Sequence, residues 1–466
     1  MLFSSIPFLY YFLPGVLILY AAAPKPLKNT VLLLASLLFY AWGEPKYILL
    51  MTVYILNGYL SGRLIERFQG RPAAKSLLGL SAAVSIGLLA FFKYADFFIE
   101  NFNAVTGMSV PLLKIALPIG ISFYTFQTLS YTIDVYRGDA KAQRNFLHLA
   151  TYIALFPQLI AGPIVRYTQI ASQLEHRTHH LSGIASGIRL FVIGLAKKVL
   201  IANTLGTLCS IYAETHEQSV LFCWMYAAAY SLQVYFDFSG YSDMAVGLGK
   251  FFGFDFPQNF RYPFAAQSIT DFWRRWHISL GTWFRDYVYI PLGGNRVSKS
   301  LWLRNILIVW TLTGFWHGAA WNFILWGLYF AGLLILEKLF FQKWLPRFKI
   351  FRHLYVLLAV LVSFVIFGAS DIGSAWECIK GMFGWNHLPI TTPEQSYYLR
   401  SYGWIFLIAA IGATPLPKML MASIQKKSFG FAAVSILEPA VLGMLTLLST
   451  ANLVDGSFNP FLYFRF

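Results

Sequence analysis

Charged residues are scarce in this 466-residue sequence: they make up 12% of it, against about a quarter in soluble domains. Hydrophobic residues make up 57% and recur in apolar runs along nearly the whole length. No polar stretch is long enough to fold as a soluble domain with its own core. The composition therefore predicts an all-α polytopic membrane protein, with one integral-membrane domain over residues 1–466.

Cysteine is also rare, which removes two common kinds of site. Cys209, Cys223 and Cys378 form neither a C-x-x-C pair nor a spacing suited to a metal ion. Three histidines lie within residues 176–180, but no cysteine is near them and we expect a solvated loop there. The sequence predicts no metal site and no bound cofactor.

Acidic residues are outnumbered by basic ones, 20 to 36, for a net charge of +16. No aromatic-basic nucleic-acid module accompanies this excess, so we expect membrane lipids rather than nucleic acid as partners. The cations instead cluster in alternate loops, at residues 25–28, 63–75 and 137–144. Because cytoplasmic loops are enriched in Lys and Arg, this pattern predicts an external N-terminus. An even number of crossings then predicts an external C-terminus.

Twelve apolar runs divide the chain. Several are too short to cross a hydrocarbon core about 30 Å thick, so some must be re-entrant, extended by polar flanks or buried among other helices. The first run lacks a basic n-region and a convincing cleavage site, which favours a retained transmembrane helix. The runs are residues 6–23, 30–42, 47–60, 77–92, 111–133, 146–164, 184–202, 220–236, 305–336, 354–368, 404–420 and 433–448.

The longest run, 305–336, contains no Asp, Glu, Lys or Arg, and His317 is its only side chain that titrates near neutral pH. At about 1.5 Å per residue, His317 lies roughly 18 Å along the run, near the bilayer centre. A histidine at that depth either serves chemistry or bonds a neighbouring helix. Gly314 and Gly318 permit close approach of a backbone or a substrate, and they suggest a break in the run.

Residues 255–299 contain aromatic rings, cations and turn residues in place of an apolar span. Five apolar side chains recur there at helical spacing, with Arg274 and Arg285 on the opposite face. His277 lies on the same segment. This periodicity predicts an interfacial or re-entrant amphipathic helix. The five side chains are Phe272, Trp276, Leu280, Trp283 and Tyr287.

Upstream, YFDFSGYSD at residues 235–243 places two carboxylates in an apolar neighbourhood, and we expect a broken helix there. In one interpretation, Asp237 and Ser239 cap the break. In the other, Asp237 contacts the substrate or a catalytic histidine.

Together, these motifs resemble the signature of bacterial membrane-bound O-acyltransferases, especially those that modify alginate and other surface polysaccharides. The resemblance implies about 11–13 transmembrane or re-entrant helices around a central funnel or tunnel, in the bacterial cytoplasmic membrane. His317 matches the catalytic histidine of the family, and His277 its second active-site position. The motifs are DFWRRWHISL at 271–280, WFRDY at 283–287, IPLGGNR at 290–296, YFDFSGYSD at 235–243 and WHG at 316–318.

The chemistry of O-acyl transfer suits these residues. A hydroxyl must lose its proton as it attacks a thioester, and histidine is a natural general base near neutral pH. We assign that role to His317. His277 can orient the substrate, share the proton, polarise the carbonyl or serve a purely structural role. Trp273, Trp276 and Trp316 either exclude water that would hydrolyse the thioester or pack as ordinary aromatic residues.

Three arginines, Arg274, Arg275 and Arg285, can guide an anionic donor, because guanidinium binds phosphate through two hydrogen bonds. That donor is acetyl-CoA or a phosphopantetheine carrier protein. The alternative is that they anchor lipid headgroups. Asp271 lies four residues before Arg275 and can pair with it.

The C-terminal tail, residues 451–466, ends in NPFLYFRF. Its ending resembles an F-x-Y-x-x-F motif found in related acyltransferases or their small accessory proteins. Tyr463 is therefore a candidate acyl carrier, because an aryl ester stays reactive enough to pass the acyl group on. The alternative is an interfacial aromatic anchor.

These features predict an O-acyltransferase that moves an acetyl group from cytoplasmic acetyl-CoA across the membrane to an extracellular or cell-wall polysaccharide. A secreted or membrane-anchored SGNH-hydrolase-like acetyltransferase is the expected partner. The alternative within this fold is a D-alanyl transferase of the teichoic-acid type, which takes its acyl group from a carrier-protein thioester. A transporter or polysaccharide channel, with His317 in a proton relay, explains the signature motifs less well.

Overall fold

All regular elements in the described part of the chain are helical, which confirms the all-α prediction. The computed structural model describes residues 1–215, 217–341, 349–456 and 461–462. Two compact units divide the chain: a first unit of Met1–Phe191 and Ser242–Gln258, and a second unit of Val192–Tyr241 and Asn259–Phe466.

The first unit contains eight complete helices. The longest begins with Pro72, whose fixed φ suits a first helical residue, and ends before Gly107, which takes a left-handed φ of 72°. The eight are α1 (Leu13–Ala22), α2 (Lys28–Ala41), α3 (Ile48–Arg67), α4 (Pro72–Thr106), α5 (Ile121–Arg137), α6 (Phe146–Ala154), α7 (Phe156–Leu159) and α8 (Tyr167–Glu175).

The second unit holds the predicted site motifs. Its first helix, α9 (Leu181–Ala196), begins in the first unit and continues through a π-helical turn, Lys197–Ala202, into α10 (Asn203–Glu214). The rest are α11 (Val220–Phe251), which ends in the first unit, α12 (Ile269–Trp273), α13 (Ile278–Phe284), α14 (Lys299–His317), α15 (Trp321–Leu339), α16 (Lys349–Gly368), α17 (Ile372–Met382), α18 (Pro393–Gly412), α19 (Leu416–Gln425) and α20 (Ser428–Asp455).

Several helices have the length and apolarity to cross a membrane, which makes this a multi-pass membrane protein. Among the described residues, five helices qualify alone, and α18 with α19 forms a further pair bent by 63°. The five are Pro45–Arg67, Pro72–Thr106, Trp321–Leu339, Ile350–Gly368 and Gly430–Asp455.

The run at 111–133 is helical only from Ile121 onward, so the expectation of one continuous span there was wrong. Two prolines, Pro111 and Pro118, remove backbone donors from its first part. Gly120, which precedes α5, takes a left-handed φ of 78°. These residues end any helical path before α5 begins.

The long run with His317 is broken where its glycines predicted. α14 ends at His317 and α15 begins at Trp321. A Cβ on Gly314 would overlap the carbonyl of Phe323, and one on Gly318 would overlap the Phe323 ring. The two helices therefore lie in backbone contact, and this contact fixes His317 at the end of α14.

The single amphipathic helix predicted around His277 was wrong. α12 ends at Trp273 and α13 begins at Ile278, with His277 between them at a left-handed φ of 44°. Hydrogen bonds to residues 259 and 261 explain the break. The Ile278 N–H donates to the Asn259 carbonyl at 3.0 Å, and the Arg275 carbonyl accepts the Arg261 N–H at 2.9 Å. The Glu337 carboxylate on α15 instead caps the start of α12, where it accepts the backbone N–H groups of Ile269 and Thr270 at 2.7 and 3.0 Å. The five side chains of the predicted stripe are nevertheless all buried.

Candidate active site

His317 and Asp237 both line one cavity in the second unit. His317 is the last residue of α14, and Asp237 lies in the middle of α11. The other walls are apolar or aromatic. The lining residues are Val234, Asp237, Phe238, Trp276, His317, Trp326, Phe364, Phe367, Phe461 and Leu462.

His317 is buried and surrounded by aromatic rings. Its ring lies edge-on to Trp326, with centroids 5.0 Å apart, and to Phe367 at 5.3 Å. Such walls restrict access of water to any ester or thioester held beside the imidazole. The geometry therefore suits a proton-transfer group in a water-poor cavity.

His277 occupies a different setting, because Asn259 fixes its ring. The Asn259 Oδ1 atom accepts the N–H of Ser279 at 3.2 Å, which identifies that atom as oxygen rather than amide nitrogen. Nδ1 of His277 lies 3.2 Å from the same oxygen and must donate the proton of that bond. In the neutral ring, Nε2 is therefore left as an acceptor. It makes no hydrogen bond with any residue that the structure describes.

Trp316 connects the two histidines. Its ring centroid lies 6.0 Å from that of His277 and 4.9 Å from that of His317. His277 is not among the residues that line the cavity, and it packs edge-on against Phe238, one of the lining residues, at 4.7 Å. The structure thus places one predicted catalytic histidine on the wall and the other behind it.

Asp237 caps no helix. The broken helix expected at 235–243 was wrong, because α11 runs through these residues without interruption. The carboxylate instead pairs with Lys198, whose Nζ lies 2.5 Å from Oδ1, and Oδ2 accepts the Leu462 N–H at 2.8 Å. Both oxygens thus have protein partners, while the residue also lines the cavity.

The three predicted tryptophans occupy different positions relative to the cavity. Trp276 lines the cavity and lies 5.3 Å from Phe364, centroid to centroid. Trp273 does not line the cavity; it packs against Trp310 at 4.6 Å and against the lining residue Trp326 at 5.6 Å. Trp316 contacts both histidines, as described above.

The three predicted arginines also differ in their partners. The expected Asp271–Arg275 pair is confirmed, with Nε 2.8 Å from the carboxylate. Arg285 pairs with its neighbour Asp286 through two hydrogen bonds, at 2.6 and 3.1 Å. Arg274 is exposed and forms no ion pair with the residues that the structure describes. Arg274 is therefore the predicted cation most available to an anionic ligand.

Three residues that contribute to this site escaped the sequence analysis: Asn259, Lys198 and Glu337. Lys198 carried a usable signal, since a charge inside the apolar run 184–202 indicates a buried partner. Glu337 directly follows the run that contains His317. Asn259 stands in an irregular segment, and nothing in its sequence pattern distinguished it.

Two further expectations concern Tyr463 and metal binding. Tyr463 lies outside the described residues, whereas its neighbours Phe461 and Leu462 line the cavity. Within the described part of the chain, no three His, Cys, Asp or Glu side chains come together in a way that would hold a metal ion.

Comparison with known proteins identifies the family. A model of the membrane-bound O-acyltransferase family matches residues 138–372. The chain is 39% identical to the probable alginate O-acetylase of Azotobacter vinelandii, over the full length of both. It is 37% identical to the peptidoglycan O-acetyltransferase of Helicobacter pylori, over 86% of this chain and 83% of that protein. A match to the teichoic acid D-alanyltransferase of Bacillus subtilis is 33% identical and covers 54% of this chain and 67% of that protein. The protein is thus an O-acyltransferase and belongs to the membrane-bound O-acyltransferase family.

Proposed function

We propose that this enzyme moves an acetyl group from a cytoplasmic thioester, acetyl-CoA, across the membrane for O-acetylation of an extracellular or cell-wall polysaccharide. The cavity that holds His317 carries the proposal, because it offers a buried imidazole in a water-poor aromatic setting. The full-length similarity to an alginate O-acetylase and the long match to a peptidoglycan O-acetyltransferase support acetyl as the group and polysaccharide as the acceptor.

In this proposal, His317 is the general base. It takes the proton of the attacking hydroxyl as the hydroxyl oxygen bonds to the thioester carbonyl. The carbon–sulfur bond then breaks, and the leaving thiolate takes the proton back from the imidazolium. Trp276 and Trp326, which line the same cavity, exclude water during the step.

His277 has a supporting role in this scheme. With Nδ1 donating to Asn259, the neutral ring has no second N–H with which to polarise a carbonyl. That removes one of the three catalytic roles considered for it. We infer that His277 orients Trp316, and through it His317, and that Nε2 is available to share a proton.

The phosphate groups of the donor are its binding handle for the basic residues of this site. Arg274 is the best candidate to bind them, since Arg275 and Arg285 already have carboxylate partners. A guanidinium and a phosphate form a strong, charge-assisted pair. Trp273, which packs away from the cavity, is better explained as support for Trp326 than as a substrate contact.

Tyr463 is proposed as the acyl carrier between this enzyme and a secreted or membrane-anchored SGNH-hydrolase-like acetyltransferase. Its hydroxyl attacks the thioester with His317 as base, and the resulting aryl ester then passes the acetyl group on. Tyr463→Phe keeps the ring and removes only this hydroxyl. A carrier then loses polysaccharide acetylation, by roughly 100-fold or more. Full acetylation by the variant would leave direct transfer from the cavity as the mechanism.

D-alanyl transfer from a carrier-protein thioester is the second candidate, and the similarity to a teichoic acid D-alanyltransferase favours it. That similarity covers about half of the chain, whereas the alginate-type similarity covers all of it. Purified enzyme incubated with radiolabelled acetyl-CoA or with D-alanyl carrier protein separates the two. We expect release of free CoA from the first donor. Turnover of the carrier protein alone would overturn the proposal.

The orientation completes the proposal, with residues 1–466 acting as one domain in the bacterial cytoplasmic membrane. Residues 63–75 face the cytoplasm and both termini face outside, since the basic loops alternate along the chain. Cysteine-accessibility labelling of these loops measures the orientation. The opposite result would reverse the proposed direction of acyl flow.

A further inference from the structure

A buried ion pair stands beside the cavity, and the proposed chemistry does not use it. Lys198 and Asp237 are 3% and 1% exposed, and their charged atoms lie 2.5 Å apart. Two charges are removed from water at high cost, which mutual attraction offsets only when further hydrogen bonds satisfy the remaining atoms. The partners of this pair therefore indicate what it does.

The backbone is arranged to bring the pair together. Lys198 lies on the π-helical turn Lys197–Ala202, a local irregularity that is frequent at functional sites. Gly240, three residues after Asp237 on α11, faces that turn. A Cβ at Gly240 would lie only 2.6 Å from the Gly194 carbonyl oxygen and 3.2 Å from the backbone nitrogen of Lys198. Only a glycine allows the two helices to approach so closely.

The free side of the Asp237 carboxylate faces the C-terminal tail. Its Oδ2 accepts the Leu462 N–H at 2.8 Å. The ring of Phe461 packs against Tyr241 at 4.9 Å, and Lys198 Nζ lies 5.9 Å from its centroid. Phe461 and Leu462 both line the cavity that contains His317. Phe461 and Leu462 of the tail are thus held in the cavity wall by one charge-assisted hydrogen bond and one aromatic ring.

We propose that the Lys198–Asp237 pair is an anchor that holds the C-terminal tail against the His317 cavity. Asp237 is then a positioning residue rather than a substrate ligand. The Lys198 ammonium favours the charged form of the buried carboxylate, and a charged acceptor binds the Leu462 N–H more strongly than a neutral one. The functional consequence rests on the proposed role of Tyr463, the next residue in the sequence. The anchor itself is independent of that role.

Two double variants of the full-length protein isolate the hydrogen bond. Asp237→Asn with Lys198→Met removes both charges but keeps an oxygen that can accept the Leu462 N–H. Asp237→Leu with Lys198→Met removes both charges and the acceptor. Replacing a buried ion pair by apolar groups of similar volume is often well tolerated, which covers the Leu variant, and Asn has nearly the same size and shape as Asp. The two variants differ in the side-chain amide, whose oxygen is the acceptor for the Leu462 N–H.

Hydrogen exchange at the Leu462 amide, read by mass spectrometry in detergent, measures the anchor directly. We expect the slowest exchange in the wild type, faster exchange in the Asn variant with its neutral acceptor, and exchange in the Leu variant at least about 10-fold faster than in the wild type. Glu337→Gln alters another buried carboxylate that accepts backbone N–H groups, and it should leave the Leu462 rate unchanged. A wild-type rate equal to that of an unstructured peptide overturns the anchor without any variant.

Acyl transfer by the same proteins tests the positioning role. The Asn variant should turn over at least about 5 times faster than the Leu variant, with similar KM values for the donor, because only the tail is displaced. Equal turnover in the two variants, with different Leu462 exchange, refutes the positioning role but not the anchor. If the wild type itself transfers no acyl group, the proposed function fails while the exchange result still stands. If the double variants do not fold, Gly240→Ala provides a second test. Its added Cβ must push the π-helical turn away, and the exchange rate of the Leu462 amide should rise.

Discussion

The two histidines on either side of Trp316 occupy opposite kinds of position. His317 is the last residue of α14, at the break before α15, and it lies on the wall of a cavity. His277 sits between two short helices at a left-handed φ, with one ring nitrogen fixed by Asn259. A strained backbone at a buried polar residue persists only when its surroundings impose it. This difference supports our proposal that His317 meets the substrate and that His277 holds the site in shape.

Removal of the His317 imidazole should have the largest effect. His317→Ala loses the proposed general base, which is worth about 100- to 10,000-fold in rate. The protein should still insert in the membrane, because one buried polar group is lost and no helix is interrupted. Polysaccharide acetyl content in cells that express equal amounts of protein is the measurement, with His180→Ala, in an exposed loop, as the matched control. Normal acetylation would remove His317 from the mechanism.

His277→Ala should lower turnover by roughly 10- to 100-fold, because it misplaces the groups around Trp316 rather than deleting the base. Steady-state kinetics should show a lower kcat with a nearly constant KM for the donor, which would separate the supporting role of His277 from the role of His317 as base. Unchanged values of both would mean that His277 has no part in catalysis.

Asn259→Ala should have the smallest effect of the three on rate, about 10-fold or less, since the His277 ring remains but loses its fixed orientation. It also leaves Ser279 without its acceptor, so the free energy of unfolding should fall by about 1–3 kcal/mol. Asn322→Ala removes another buried asparagine of the second unit and controls for stability alone. A rate loss as large in Asn322→Ala as in Asn259→Ala would contradict the orienting role.

The parts of the structure that the sequence predicted depend on local rules. Apolar length predicted helices, glycines predicted the break at His317, and the spacing of Asp271 and Arg275 predicted their pair. The failures around His277 and Asp237 come from contacts distant along the chain, whereas the failure at 111–133 comes from the local residues Pro111, Pro118 and Gly120. Backbone hydrogen bonds with Asn259 and Arg261 interrupt the helix expected around His277.

The same cause explains the missed residues around Asp237. Lys198 pairs with it from another helix, and α11 continues where caps suggested a break. Periodicity within a segment cannot report a hydrogen bond from a segment dozens of residues away. The family signature pointed to the candidate site, whereas the partners that shape it required the structure.

Chemical rescue tests most directly whether His317 acts as a base in the cavity while His277 acts from behind it. Purified His317→Ala and His277→Ala are assayed for acyl transfer with and without added imidazole. Small bases can replace a missing imidazole only where the vacated space opens on the reacting groups. We expect imidazole to restore the rate of His317→Ala by about 10-fold or more and to leave His277→Ala unchanged. Rescue of His277→Ala alone, or equal rescue of both, would contradict the assignment.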